Sequence, residues 1–510
     1  MKKGSEIKLN VRPLFIEFNH DYVYEGPCRF GKGDTLEPAY DRMLSGELYK
    51  NFIRTLNENM PAFVNLMEPV RLQNYTDEFK VPEEDVQKAL AGRDEVDLYL
   101  VSTSGRANRV TMEVARRSKK PIAFYSAVLM AVTTNIAALH ARGLEAYPAY
   151  DWADFKRTLQ ALRIRKILAN TRMLVLNRFA SDVSPVSAQD CFLSLEEVSR
   201  KLDVQYHFLN VHEFLDQLHV CPPDENPTTP GRIQNNITEE DEKEIWAMTD
   251  RLIAEADECY MDREMVFRSV RAYYLTQKLL KHWDCNAFTA PCPDMCSTRR
   301  VNQEKCTLCL THSLNEENGI PSACEFDMNA LLSKLILQNI SSKSTYMGNT
   351  CLLPIQDGKI TVPDFAYVSQ EEVDQLKGTD NLIVTLHSVA NRRLKGYDAP
   401  QEHYSIRPFA HSGWGATIRY DFSKDKDTPV TLLRIDPTCS KMLVVASKVK
   451  GQFGLNNNNC TTALVQQTAD AKDFFEKQLE FGSHMAVVYG DYVEDLKAVG
   501  KVLGLEVICA

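Results

Sequence analysis

Helix-forming patterns thin out near Asp357, and this switch constrains the fold more than any other feature of the chain. From there, Lys359–Val362, Leu382–His387, Ala416–Phe422, Val430–Ile435, Met442–Val449 and Thr461–Gln467 read as strands joined by turns. Strands that follow one another with few helices between them predict an antiparallel, barrel-like unit. The end returns to an alternating style, with Met485–Tyr489 as a strand, Tyr492–Val502 as a helix and Leu505–Cys509 as a final strand.

Upstream the pattern is different. Leu14–Phe18, Val96–Ser102 and Lys120–Tyr125 are strand candidates, followed by helical runs over Ala127–His140 and Trp152–Ile167. Arg172–Asn177 and Val204–Asn210 read as strands around a helix at Ser194–Leu202. Strands alternating with helices predict βαβ units and a parallel sheet. The polar, Pro-rich segment Cys221–Asn236 is a loop, and Thr238-Glu239-Glu240-Asp241 opens a long helix in capping-box fashion. A further helix covers Arg263–His282.

At 510 residues the chain exceeds what one hydrophobic core supports. A net charge of −10 and short, scattered basic clusters (Arg116-Arg117, Arg299-Arg300, Arg392-Arg393) argue against nucleic acid as a partner. No window approaches the ~18 apolar residues that span a bilayer. The longest apolar stretch, around Ala127–Ala138, is interrupted by Thr133, Thr134 and Asn135. The amino terminus places charges where a signal peptide needs an apolar core. A cytoplasmic protein is expected, with its 14 cysteines as reduced thiols.

Gly319-Ile320-Pro321-Ser322-Ala323-Cys324-Glu325-Phe326-Asp327 leads into a helix with apolar residues at Met328, Leu331, Leu332, Leu335 and Ile336. Asp327 suits the N-cap, which leaves Glu325 outside the helix with its carboxylate available for chemistry. Both acids could equally serve only to cap and solvate a helix start. His387 ends one strand and His484 begins another, beside a Gly-Ser turn; such positions point into clefts, although lone histidines are more often structural. His411 and Trp414 share a Gly-rich loop, where Trp414 offers either a face for a sugar or a plain turn aromatic. The cysteines Cys292-x3-Cys296 and Cys306-x2-Cys309, flanked by Cys285 and Cys324, resemble half of several zinc or iron–sulfur patterns. The first pair is wider than a zinc knuckle, and cysteine is also a common core residue. Ser104-Gly105-Arg106 lacks the glycines of a phosphate-binding loop, and no Gly-x-Ser-x-Gly elbow occurs.

GIPSACEFD, the helix MNALLSKLILQ and TYMGN together resemble the sugar-isomerase superfamily of L-fucose isomerase and L-arabinose isomerase, in particular its fucose-isomerase-like members. The resemblance continues through TLHSVANRRLKG, HSGWGATIRYDF, PVTLLRID and GSHMAVVYGDYVEDL, from about residue 285 to the end. It implies an α/β protein with two Rossmann-like α/β domains (1–168 and 169–350) and a β-rich, barrel-like C-terminal domain (351–510). It further implies a divalent metal, usually Mn2+, a homo-oligomer (trimer or hexamer), and interconversion of an aldose and a ketose through an ene-diol. By motif, Glu325 matches a metal-binding glutamate, His484 a metal-binding histidine and His387 the histidine between them. Trp414 and His411 would then face the monosaccharide. Asn349 stands where the family carries a second carboxylate, and an asparagine cannot accept a proton as a base. Asp327 or Asp364 would have to substitute, or turnover would be weak or absent. FAHSGWG also departs from an acidic version of the segment. The expected activity is therefore an aldose–ketose isomerase, with a non-catalytic sugar-binding protein and a cysteine-ligated metalloprotein as the rivals.

Overall fold

The computed structural model describes the chain apart from residues 1, 18, 20, 21, 24–32, 74–80, 104–107, 127, 128, 179–190, 221–235, 354, 358, 361–367 and 461. Two compact units emerge, one formed by Ile7–Lys166 and the other by Met1–Glu6 with Ile167–Ala510. Among the described residues no helix is long and apolar enough to cross a membrane.

The smaller unit is a parallel sheet with flanking helices. Its strands are β1 (Leu9–Glu17), β2 (Val64–Leu66), β3 (Val70–Gln73), β4 (Leu98–Thr103), β5 (Ile122–Tyr125) and β6 (Ala146–Pro148). They run in the order β2-β1-β4-β5-β6, with β3 also on β1, and every pairing is parallel. β1 starts five residues before the expected Leu14 because Pro13 does not interrupt it. Pro13 falls where the partner changes from β2, paired at 9–11, to β3, paired at 14–17, so its missing N–H costs no ladder bond on that edge. The core of this unit is apolar, with Leu14, Ile16, Tyr99, Val101, Val114 and Phe124 all buried.

In the larger unit, β7 (Arg172–Asn177), β8 (Gln205–Asn210), β9 (Glu258–Cys259), β10 (Ala287–Thr289) and β11 (Ser322–Ala323) precede the barrel. Four of them make a second parallel sheet in the order β11-β10-β7-β8. Thr238 and Asp241 form the expected capping box on the helix Glu239–Glu255.

Then come β12 (Tyr346–Leu352), β13 (Ile355–Gln356), β14 (Lys359–Ile360), β15 (Leu382–Leu386), β16 (Ser405–Pro408) and β17 (Ala416–Arg419). They are followed by β18 (Pro429–Ile435), β19 (Lys441–Phe453), β20 (Ala463–Thr468), β21 (His484–Tyr489) and β22 (Glu506–Cys509). The barrel expectation holds: β18-β21-β12-β15-β20-β19 pair antiparallel throughout and close through β18–β19, while β22 adds to β19 in parallel. Its membership differs from the sequence reading. Lys359–Ile360 belongs to a two-stranded ribbon with β13, and β17 joins β16 and β9 in a separate three-stranded sheet. Their places in the barrel are taken by β12 and β21. The sequence reading assigns β21 to the alternating C-terminal end and takes the start of β12 only as the motif TYMGN, not as a strand.

The helix Met328–Ser341 packs on β18 and β21 of the barrel and on β10 and β11 of the parallel sheet. The amphipathic pattern predicts a solvent-facing side, yet residues 328–339 are buried all round. Its polar residues have internal partners instead. Asn329 Nδ2 donates to Ile435 O at 3.0 Å, Ser333 Oγ accepts from Ile435 N at 3.2 Å, and Lys334 pairs with Glu316 at 3.1 Å with both side chains fully buried. A helix so held gives its N-terminus a fixed position at the barrel wall.

Candidate functional site

The turn before that helix is strained. Glu325 and Phe326 both adopt φ 62°, a left-handed conformation that costs a side-chain-bearing residue ~1–3 kcal/mol. Phe326 N–H donates to Ala290 O at 2.9 Å and Asp327 N–H to Cys324 O at 3.2 Å, which pins the turn. The turn delivers the Glu325 carboxylate to the barrel side of the helix N-terminus, with a quarter of its side chain exposed.

Two histidines meet it there. His387, just past β15, places Nε2 at 3.3 Å from Glu325 Oε1. His484, the first residue of β21, places Nε2 at 3.6 Å from Glu325 Oε2. One donor atom from each of Glu325, His387 and His484 lies within 4.8 Å of the other two, and both imidazoles are only 3% exposed. Segments 62 and 159 residues apart from Glu325 thus converge on one partly open point (387 − 325 and 484 − 325).

The two rings are held differently. His484 Nδ1 lies 2.8 Å from Asp327 Oδ2, so in the neutral ring that nitrogen carries the proton and Nε2 the lone pair. That buried Nε2 has no hydrogen-bond partner among the described residues. His387 Nδ1 instead accepts from Ser388 N–H at 3.0 Å, which puts the proton of the neutral ring on Nε2, aimed at Glu325. The His387 backbone is fixed in turn by Tyr346, whose Oη accepts from His387 N–H at 2.7 Å.

Asp327 is the N-cap, its Oδ1 accepting from Ala330 N–H at 2.8 Å. Its Oδ2 also takes Arg434 Nη1–H at 2.7 Å, with both side chains fully buried. Arg434 in turn donates to His484 O at 2.8 Å and to Phe481 O at 2.5 Å. Burial alone would push the Asp327 carboxyl up, but the Arg434 charge and the His484 bond outweigh it and hold the group well below the carboxylate range. Burial likewise opposes a charge on His484; the bond and charge of Asp327, then the charge of Glu325, override it and raise the imidazole above its ordinary value. For Glu325, burial pushes upward and is outweighed by His387, then His484, so the carboxyl is lowered and stays ionised at neutral pH. Asp327 is therefore not free to serve as the substitute carboxylate that the resemblance calls for, because its oxygens are engaged by Ala330, Arg434 and His484. Asp364 lies outside the described residues, as does the loop Ser104–Arg106.

Asn349 sits directly across the β12–β21 ladder from His484. Opposed residues of an antiparallel pair project to the same face, so the Asn349 side chain shares His484's side of the sheet. It is half-buried, and its Oδ1 accepts from Ser483 Oγ at 3.1 Å. Trp414 and His411 sit in the β16–β17 connection. His411 is exposed, whereas Trp414 is 9% exposed and packs against Phe409 at 6.3 Å between ring centroids. The Trp414 face is thus largely occupied by the protein itself.

Sequence reasoning missed Arg434, Tyr346 and Ser388, which orient the two imidazoles. Each is a polar group inside an apolar strand or next to a strand end, and nothing local marks it. A scan of the chain against protein-family models finds no match, and neither does a search of the curated proteins.

Proposed function

We propose that this protein is a metal-dependent sugar isomerase-like intramolecular oxidoreductase, interconverting an aldose and a ketose, similar to L-fucose and L-arabinose isomerases. One observation carries the reading: a buried imidazole nitrogen with an unshared lone pair, His484 Nε2, faces an ionised carboxylate at a solvent-reachable point. A hard divalent ion such as Mn2+ suits that pair, Glu325 as anionic ligand and His484 as neutral one. The electrostatics are consistent, because the same field that favours a proton at His484 favours a cation there. When bound, such an ion would polarise two adjacent sugar oxygens and acidify the C–H beside the carbonyl.

The residues divide the remaining work. Glu325 takes the proton from one carbon and returns it to the neighbour as the ene-diol collapses. His387, with its proton on Nε2, holds the Glu325 carboxylate in place, can give that proton to the carbonyl oxygen as the ene-diol forms and recovers one from the neighbouring hydroxyl as it collapses. Asp327 and Arg434 keep His484 in the tautomer that exposes Nε2. Asn349 offers an amide beside His484 for a hydroxyl. In this reading the two parallel sheets belong to Rossmann-like domains, and the protein is a cytoplasmic homo-oligomer, trimeric or hexameric.

A second reading rests on Asn349. With one ionisable carboxylate at the point of convergence, the scaffold could bind a monosaccharide without turning it over. Titration calorimetry with Mn2+, pentoses and 6-deoxyhexoses, run beside an isomerisation assay with added Mn2+, separates the two. Turnover lost by ~10²–10⁴-fold in Glu325→Gln, with the fold intact, is the expected result. Binding of sugar without turnover in the wild type favours the second reading. Asn349→Asp adds an anionic oxygen beside His484 and is expected to tighten Mn2+ binding; unchanged affinity would remove that side chain from the ion's surroundings.

A further inference from the structure

A second group of metal-ligating side chains lies on the other side of the same turn. Cys324 directly precedes Glu325 in sequence. Its Sγ, the Cys292 Sγ and a ring nitrogen of His312 all lie within 4.8 Å of one another, and the Cys292 Sγ to His312 Nε2 separation is 3.9 Å. We propose that Cys292, His312 and Cys324 form a binding site for a thiophilic divalent ion of the zinc class, distinct from the Glu325–His484 pair.

Geometry favours it first. A tetrahedral ion with Zn–S of about 2.3 Å and Zn–N of about 2.0 Å separates sulfur from nitrogen by roughly 3.5 Å. The present 3.9 Å needs only a few tenths of an ångström of closure.

Orientation is the second argument. His312 is fully buried, and its Nδ1 lies 2.8 Å from Ser322 Oγ, which also accepts from Asn315 Nδ2 at 3.2 Å. Ser322 thus holds His312 through Nδ1, which leaves Nε2 as the ring nitrogen turned toward Cys292. Ligation through Nε2 requires the proton on Nδ1, with Ser322 Oγ as its acceptor, the outer-shell arrangement that liganding histidines adopt.

Ser322 is itself fixed: its N–H donates to Glu316 Oε1 at 2.8 Å and its carbonyl accepts from Lys334 Nζ at 2.5 Å. The imidazole is therefore preorganised by buried groups from two helices.

Charge is the third argument. Two thiolates and a neutral imidazole around a divalent ion make a neutral complex, so burial carries little Born cost. A hard ion with oxygen preference gains nothing from this donor set, which assigns the two sites to different metals.

The three ligands come from separate segments. Cys292 follows β10, His312 is in the helix Cys309–Glu317, and Cys324 follows β11. An ion there would tie them together directly behind the left-handed pair Glu325-Phe326, bracing a turn that otherwise stores strain. The site stands whether or not Glu325 binds a second ion.

The test uses the full chain, reduced, chelator-treated and then titrated with Co2+ and Zn2+. The expected result is one equivalent of Co2+ giving thiolate-to-cobalt charge-transfer absorption, displaced by Zn2+. Loss of that absorption is expected in Cys292→Ser, Cys324→Ser and His312→Ala, with a raised melting temperature on Zn2+ addition only in the wild type. Glu325→Gln and Cys306→Ser should keep the absorption. Absence of the band in the reduced wild type overturns the proposal. So does its persistence in the Cys292→Ser/Cys324→Ser double variant, or its loss in Cys306→Ser alone. Should the single variants fold poorly, cobalt spectra of Ser322→Ala, which leaves all three ligands in place, give the check: weakened binding supports the site, unchanged binding refutes the His312 assignment.

Discussion

Asp327→Asn isolates the group on which the whole N-terminus of the buried helix depends. The amide oxygen can still cap the helix by accepting from Ala330 N–H, 2.8 Å away in the wild type. The other oxygen becomes an NH2 group, and the two donors aimed at it, Arg434 Nη1 at 2.7 Å and His484 Nδ1 at 2.8 Å, lose their acceptor. Two charge-assisted bonds at ~1.5–3 kcal/mol each sum to about 3–6 kcal/mol. The same loss seen from Arg434, a fully buried cation deprived of its counter-ion, is about 3–5 kcal/mol. The two views describe one event, so about 3–5 kcal/mol is the expected destabilisation. At roughly 2–4 °C per kcal/mol for a large domain, the melting temperature of the larger unit should fall by roughly 6–20 °C. Differential scanning calorimetry measures it, with Asp327→Asn/Arg434→Met as the control. Removing both charges eliminates the stranded cation, and that variant should recover much of the loss. A single variant that melts within ~2 °C of the wild type, or a double variant no better than the single, refutes the account of Arg434 as a cation held by Asp327.

Two further outcomes follow from the barrel. Asp436 accepts from the backbone N–H groups of Ser440 and Lys441 at 2.6 Å each and of Thr438 at 3.0 Å, closing the β18–β19 turn. Burial alone would raise its carboxyl; the Thr438 hydroxyl and those N–H groups outweigh it and hold it below its ordinary 3.8. A folded-state value below the unfolded one gives stability that is present above pH ~3.8 and lost as pH falls through the folded value. Asp436→Asn should therefore be less stable than wild type by ~1–3 kcal/mol at pH 7, the gap narrowing below pH 4, as urea titrations at several pH values would reveal. A gap constant with pH would contradict it. Gly348 in β12 has the Leu386 carbonyl oxygen only 2.5 Å from where a Cβ would stand, and that oxygen is backbone. Gly348→Ala should push β12 from β15 and cost ~1–3 kcal/mol. A melting temperature equal to the wild type's would show that the strands can separate freely.

What the sequence made legible was local. The Glu325 turn stood out because two carboxylates precede a strongly apolar helix, and the structure has Asp327 capping that helix with Glu325 outside it. His387 and His484 could be picked from their strand-end positions. Barrel closure was legible as a class but not in membership, since β12 and β21 pair across more than 130 residues and local patterns contain no term for that distance. Least legible were charges inside apolar runs. Arg434 in PVTLLRID and Lys334 in the helix interrupt the apolar pattern as any surface residue would. Only the position of Asp327 and Glu316 shows that each is paired and fully buried. His312 was missed for the same reason: its segment, CLTHSLNEE, has no apolar period, yet the helix it forms is buried on nearly every side.

The chemistry available at Glu325 follows from which carboxylates remain free to act. Asp327 is within reach of the same imidazole but is saturated by Ala330, Arg434 and His484, and its lowered value keeps it ionised without making it a proton carrier. Asn349 cannot take a proton at all. Among the described residues that converge there, Glu325 alone combines an ionised carboxylate with exposure to solvent. Among the described residues, an isomerase built on this site would move the C–H proton with Glu325 alone, His387 relaying the hydroxyl proton between the two oxygens. A protein that needed separate acid and base carboxylates would find only half of that pair here. Turnover at this site requires one carboxylate, held by His387 and set on a strained turn, to reach two adjacent carbons.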